Sequence, residues 1–402
     1  MSGNRGKVTD ADADVIVVGA GPAGSAAALG ALTEDPTLRV LLLDRADFPR
    51  DKSCGDGIAP HVLTALAEVG AADVVDDWAP VTRLELSHGD VRVEGDMARR
   101  VHVVPRAVLD ARLVERAVAA GARLRRHRVT SLSTDPVVVS GALGDLTGRV
   151  VVGADGAHSL VRERLLGPRR ESRALAIRGY APVTPETRGR QVIRYGSRRQ
   201  PSYAWAFDRG DGLVNVGYGE LLPGEGGTPP SKRLLLDQLE ELVPGAASTG
   251  GDWLGHHLPL STWLWDQPDG PVLLAGDAAG LVNPMTGEGI YYAVATGILA
   301  GRTAARAVRL GRPADAGGVH RTEVRRLLGT HLRHTWLAAR LSRSSRVVDA
   351  GIAAAGRDRR VFDTLVELGL GDGRIDRHLV RGLARELTRP ESSRASRSRE
   401  AG

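Results

Sequence analysis

The stretch Asp14 to Gly24, DVIVVGAGPAG, constrains this chain more than any other part of its 402 residues. A short apolar run of β type breaks into glycines, and the next residues, SAAALGALTE, are good helix formers. A second apolar run, RVLLLD at Arg39 to Asp44, completes a strand, helix and strand within the ~30 residues that a βαβ unit needs. Gly19, Gly21 and Gly24 form G-x-G-x-x-G between the first strand and the helix. The first permits the tight turn, the second lets backbone approach a pyrophosphate, and the third lets helix pack on strand, while the helix N-terminus favours phosphate charge. Asp44 ends the second strand, twenty residues after Gly24, where a carboxylate accepts hydrogen bonds from ribose hydroxyls. With Arg45 beside it, this end of the chain reads as a dinucleotide site.

A chain of this length accommodates a large nucleotide-binding domain and a second domain sharing its core. Charged residues at 25% and hydrophobic ones at 42% exclude a fibre or a wholly disordered chain. The excess of 54 basic over 48 acidic residues implies no nucleic-acid partner, because only Lys7, Lys52 and Lys232 are lysines and the Arg, Ala and Gly enrichment is a compositional bias. Cys54 is the single cysteine, which excludes an intrachain disulfide and a Cys-based metal centre and suits a reducing, cytoplasmic setting. No run reaches ~18 apolar residues, and residues 1 to 13 lack the apolar core of a signal peptide. The eleven histidines show no ligand spacing, so no metal is expected; the adjacent His256 and His257 point to opposite strand faces.

Periodicity divides the rest. Residues 12–80, 101–167 and 268–310 are predicted to build the nucleotide domain, returning through RVVVGADG and VLLAGDAAG and closing with a long helix from Gly287. Residues 81–100 and 168–267 are predicted to form a substrate domain: ALAIRGY, RQVIRYG, YAWAF and LVNVGYG alternate with period two, as in an antiparallel sheet, with a helix at Lys232 to Val243. Eight of the 15 aromatic residues lie between Tyr195 and Trp265, a clustering that suits an apolar pocket or a sheet core. In YAWAF, Tyr203, Trp205 and Phe207 share one face, a candidate wall for a flat or apolar substrate. Residues 311–388 form a C-terminal helical region, in which Thr322 to Arg346 read as a basic helix with a leucine stripe that packs on the core or lies on an anionic membrane. The tail 389–402 is expected to be disordered. The fold class is α/β: a Rossmann-like unit with an interleaved antiparallel-sheet domain and C-terminal helices.

Two later pairs, Asp155-Gly156 and Gly276-Asp277, each follow an apolar strand, and Arg106 precedes Leu109-Asp110. With the glycine motif, this order resembles the flavoprotein hydroxylase and geranylgeranyl reductase superfamily. FPRDKSCGDGI (Phe48 to Ile58), NPMTGEGIYYA (Asn283 to Ala293) and PSYAWAF (Pro201 to Phe207) are most similar to its geranylgeranyl reductase branch, although Asp208 stands where that branch has proline. The resemblance implies FAD. It places Arg106 near the ribityl-phosphate region and Cys54 near the reacting face of the flavin. A carboxylate at a strand end, Asp277, suits ribityl hydroxyls, and a helix starting among Gly287, Gly289 and Ile290 would aim N–H groups at the pyrimidine edge, which turns anionic on reduction. The expected activity is reduction of isoprenoid-type carbon–carbon double bonds, with Cys54 and Tyr203 as candidate acids and NAD(P)H as electron donor. The alternative is an FAD-dependent monooxygenase or oxidase that tailors a secondary metabolite. Trp263-Leu264-Trp265 lacks the Ile-Pro ending of the halogenase pattern.

Overall fold

The computed structural model describes residues 11–142, 144–168, 173–224 and 227–389. The tail expected to be disordered lies, from residue 390 onward, outside the described residues.

The strand Ala13–Val18 runs parallel to Val40–Asp44 on one side and to Gly144–Gly153 on the other. Arg123–Arg126 extends the first edge, Val272–Leu274 adds in parallel to Gly144–Gly153, and the antiparallel strands Val137–Gly141 and Val129–Thr134 complete seven strands. The strands nearest the centre are almost wholly buried, which is why their sequences are continuous apolar runs rather than alternations. Gly19 turns the chain out of the first strand at φ +97°, and a Cβ on Gly24 would lie 1.7 Å from the Gly19 carbonyl oxygen. The predicted glycine roles of tight turn and helix-on-strand packing are thus visible at these two positions.

The helix that follows, Pro22–Glu34, is buried along nearly its whole length against Ile290–Arg309. The two approach backbone to backbone: a Cβ on Gly30 would meet the Ile298 carbonyl oxygen at 2.5 Å, one on Gly297 that of Ala23 at 2.2 Å, and one on Gly301 that of Ala27 at 1.9 Å.

Eight strands form the second sheet, in the order Gly251–Pro259, Arg173–Pro182, Leu213–Leu221, Tyr203–Asp208, Arg190–Tyr195, Pro80–His88, Val91–Val103 and Gly57–Ile58. It is not purely antiparallel as predicted, because Arg190–Tyr195 pairs in parallel with Pro80–His88. A tight hairpin forces antiparallel pairing only on neighbours in sequence, and these two strands are about a hundred residues apart. One face packs Ala204, Ala206 and Tyr218 against Leu235 and Leu239 of the helix Lys232–Leu242.

Two helix boundaries differ from the prediction. The long helix starts at Ile290 rather than Gly287, because Gly287 sits at φ +69° and Gly289 caps the first turn. The basic helix spans Ala316–Leu341, and Arg346 belongs to the next one, Ser345–Ala355. Ala316–Leu341 packs Val324, Leu328 and Leu332 into the nucleotide-side core, whereas Ser345–Ala355, Arg359–Leu370 and Arg377–Leu387 cover the hairpin Pro80–His88 and Val91–Val103, where Phe362 packs with Val93, Met97, Val101 and Ile352. No described helix is long and apolar enough to cross a membrane.

The contact between the two buried helices tolerates no side chain. Gly301→Val is expected to lower the unfolding free energy by about 2–3 kcal/mol in urea titrations, since the clash is with backbone. Unchanged stability would show that these helices can separate.

Candidate functional site

Both sheets and the C-terminal helices border one cavity of about 1210 Å³. This exceeds the range of ~300–1,000 Å³ usual for a single small ligand. Among the residues read as cofactor-binding from sequence, Gly19, Gly21, Asp44, Arg45, Arg106, Asp155, Asp277, Gly287, Gly289 and Ile290 line it. Gly24 and Gly276 do not; Gly24 packs on the Gly19 turn, and Gly276, at φ +58°, packs against Ala23 and Ala293.

At the N-terminal end, Gly21 precedes the helix and faces two guanidinium groups: a Cβ there would lie 3.5 Å from Arg50 and 3.9 Å from Arg106. Arg106 is buried and donates to both oxygens of Asp110, Nε at 2.6 Å and Nη2 at 2.8 Å, and Arg50 pairs with the same carboxylate at 3.2 Å. A buried charge needs such a partner to be tolerated. Asp44 accepts the N–H groups of Ala20 and Ala46, both at 2.9 Å, and Arg45 is exposed at the rim. The Asp155 side chain caps the next helix by accepting from Ser159 Oγ and from the Val161 N–H. Its cavity side is shared with Gly156.

Asp277 lies in the turn Gly276–Ala279 and accepts from Lys52 Nζ at 3.2 Å. Lys52 holds its carboxyl below the ordinary range despite its burial. His256 is pushed down to about 4 by burial and the Lys52 charge, so its imidazole is neutral. A Cβ on Gly289 would sit 3.5 Å from Asp277 Oδ1, and Glu288 Oε1 accepts the Tyr291 N–H at 2.9 Å. The N-terminus of the twenty-residue helix Ile290–Arg309 therefore faces the same space as Asp277.

Tyr203, Trp205 and Phe207 form the predicted wall, with ring centroids 6.0 and 6.4 Å apart, and Tyr195 continues it at 5.9 Å from Tyr203. Of the eight clustered aromatics only these four line the cavity. Tyr218 and Trp253 pack under the sheet's other face, Trp265 joins the nucleotide-side core, and Trp263 contacts Trp336. Asp208, the departure from the family pattern, ties the turn by accepting the N–H groups of Gly189 and Gly210 and does not line the cavity.

Cys54 sits in a segment that abuts the Trp205 and Phe207 end of this wall and is fastened by polar contacts. Asn215 Nδ2 donates to the Cys54 carbonyl oxygen at 2.9 Å and to Asp56 Oδ2 at 2.8 Å, while Asn215 Oδ1 accepts from Trp205 Nε1 at 2.8 Å. Asp56 adopts φ +59°, accepts from Tyr180 Oη at 2.7 Å, and is pushed up to about 6 by burial. Burial also raises the Cys54 thiol, keeping it protonated, and raises Tyr203, whose hydroxyl donates to the Thr286 carbonyl oxygen. Glu288 lines the cavity beside Tyr203 and is pushed up to about 7 by burial.

Sequence reasoning missed Lys52, Asp56, His256 and Glu288 as cavity residues, and Asn215 as the buried amide that fastens the Cys54 segment. Three of them lie inside quoted motifs: Lys52 and Asp56 in FPRDKSCGDGI, and Glu288 in NPMTGEGIYYA. Their polar character amid glycines and apolar residues was the available signal. Asn215 and His256 lie in strands where alternation gives a face but no chemistry.

The FAD binding domain family matches residues 12–217. A menaquinone reductase of Mycolicibacterium smegmatis is 33% identical over 323 residues, covering 72% of this chain and 75% of the relative. A digeranylgeranylglycerophospholipid reductase of Methanopyrus kandleri is 35% identical over 324 residues, covering 73% and 81%. The chain belongs to the geranylgeranyl reductase family of FAD-dependent oxidoreductases. The fold of this family member agrees with that of a geranylgeranyl bacteriochlorophyll reductase-like protein from Thermoplasma acidophilum, at a TM-score of 0.75 and 18% identity over 93% of this chain and 96% of that one. Its cavity fits the flavin nucleotide: Gly21 leaves the phosphate approach open, two guanidinium groups face it, and carboxylates stand at both ends.

The raised carboxyl groups make stability pH-dependent with a definite sign. Asp56 and Glu288 bind their protons more tightly folded than unfolded, so the stability they confer is complete below about pH 4 and is lost as pH rises through about 6 and about 7. The flavin-free protein is expected to lose on the order of 2 kcal/mol per carboxyl between about pH 5 and pH 8 in chemical denaturation. Glu288→Gln removes the higher-pH part; a flat profile in the unsubstituted protein would contradict the assignment.

Proposed function

We propose that this protein saturates carbon–carbon double bonds of an isoprenoid-type or similarly apolar substrate. The observation that carries this reading is the continuity of the cavity, which runs from the glycine turn past the Tyr203, Trp205 and Phe207 wall into a channel lined by Leu365, Val366, Leu379 and Leu383. Such a bore suits a long hydrocarbon chain far better than a compact polar metabolite. The names of the relatives, reductases of menaquinone and of digeranylgeranylglycerophospholipid, support the same class.

In this reading Gly19, Gly21 and the helix they precede hold the pyrophosphate, Asp44 and Arg45 the adenosine ribose, and Arg106 the phosphate-to-ribityl span. Asp277 takes ribityl hydroxyls, and the N–H groups of Gly287, Gly289 and Ile290 take the pyrimidine edge, where the helix dipole favours negative charge. Asp155 shapes the turn and presents Gly156 backbone to the nucleotide. Reduced FAD supplies the hydride that saturation requires. NAD(P)H is the proposed source of those electrons, and the cytoplasm the proposed location, with peripheral membrane contact.

The wall of Tyr203, Trp205 and Phe207 orients the alkene and excludes water. Proton delivery has four candidates on the cavity surface, of which Asp56 is fully buried and already accepts from Tyr180 Oη and Asn215 Nδ2. Cys54 and Tyr203 hold their protons too tightly to give them up readily near neutrality, whereas a carboxyl titrating at about 7 is matched to the task. Glu288 is therefore assigned as the acid, with Tyr203 and Cys54 shaping the substrate face.

Reduced holoprotein incubated with geranylgeranyl diphosphate without oxygen is expected to yield products heavier by pairs of hydrogen atoms. Glu288→Gln should slow that step by roughly 10²–10⁴-fold with flavin content unchanged, whereas Cys54→Ala retains most of the rate. A product gaining one oxygen atom only in air would replace the reductase reading with a monooxygenase. Loss confined to Cys54→Ala would return the proton to the thiol.

A further inference from the structure

The cavity has a second end, away from the glycine turn. Leu337, Leu341, Val380 and Ala384 line it and are also exposed at the outer surface, the first three by 44%, 45% and 53%. The channel therefore opens between the end of the helix Ala316–Leu341 and the helix Arg377–Leu387. Apolar area continues beside it, where Trp336 contacts Trp263 at 6.4 Å and Leu264 is 64% exposed. Such an apolar mouth is costly to leave in water.

Exposed arginines flank the lining residues of this mouth. Arg340, Arg343, Arg346, Arg381 and Arg385 are exposed, and each adjoins a channel-lining residue in sequence. Among the described residues none of the five has a carboxylate partner; Arg340 lies instead over the Trp336 ring, 5.0 Å from its centroid. The nearby acids are already engaged. Asp349 pairs with His88 at 2.6 Å, the buried Glu386 is held by Arg357 and Arg389, and Asp376 caps its own helix.

We propose that this lip docks on an anionic lipid bilayer, so that an apolar chain enters the channel from the membrane without crossing water. The proposal rests on the apolar-substrate and membrane-contact reading above and adds the docking face and the charge of the lipid it selects. Exposed leucines interspersed with arginines are the pattern that settles at a headgroup boundary: the leucines reach the acyl region and the guanidinium groups stay among the phosphates. A nucleic acid would satisfy the arginines and leave the leucines and Trp263 exposed. A protein groove would need carboxylates that match five separate arginines.

The test is cosedimentation of the full-length holoprotein with vesicles of phosphatidylglycerol and phosphatidylcholine in equal parts, and with phosphatidylcholine alone. Binding is expected to the mixed vesicles only, weakening as salt is raised toward 1 M. Arg343→Ala, Arg346→Ala and Arg381→Ala together should weaken it about a hundredfold, at roughly fivefold per charge. Leu264→Ser and Leu337→Ser should weaken it further, with melting temperature and flavin content showing that each variant is folded. No binding to either vesicle, equal binding to both, binding untouched by the substitutions, or retention of RNA in place of vesicles would each overturn the proposal. Flavin content and product mass test the reductase reading separately, so failure of one does not masquerade as failure of the other.

Discussion

Much of the architecture depends on two helices meeting without side chains between them. Pro22–Glu34 belongs to the first βαβ unit and Ile290–Arg309 comes more than 250 residues later, yet Gly30, Gly297 and Gly301 bring their backbones into contact. That approach sets the N-terminus of the second helix, with Asp277 and Glu288, across the cavity from Gly19 and Gly21. A wider helix pair would leave two half-sites too far apart to share one nucleotide. Interiors packed at this density do not deform gradually, so the spacing is fixed once the chain has folded.

Around that frame the charges divide by environment. Arg106, Arg50 and Asp110 form a closed set in which each buried ion has a partner, and Lys52 does the same for Asp277. Asp56 is buried and Glu288 half-buried in the cavity wall, neither with a cation in direct contact, and desolvation leaves them titrating near neutrality. The first set keeps fixed charges beside the nucleotide; the second holds mobile protons beside the aromatic wall. This separation follows from which carboxylates the fold pairs with arginine or lysine, rather than from residue type.

The glycine turn, the two strands flanking it and the face shared by Tyr203, Trp205 and Phe207 were legible in the sequence because each rests on a local period or a local steric demand. Gly24 and Gly276, read from sequence as cofactor-binding, act through packing and do not line the cavity. The parallel joining of Arg190–Tyr195 to Pro80–His88 was not legible, since no turn links those strands and no side-chain pattern records direction. Start and stop positions of the helices slipped for a related reason: Gly287 and Gly289 look like tolerable helix residues until their φ values are known. Asn215 was the least legible of all. It fastens Cys54, Asp56 and Trp205, three residues that only tertiary structure brings together.

The central claim is that segments from the start, middle and end of the chain close on a single FAD. Equilibrium titration of the flavin-free protein with FAD, followed by flavin absorbance and fluorescence, tests it directly. Saturation at one FAD per chain, abolished by Gly21→Leu in a protein that still melts cooperatively, is the predicted result. A folded protein that stays colourless at every FAD concentration would contradict the account.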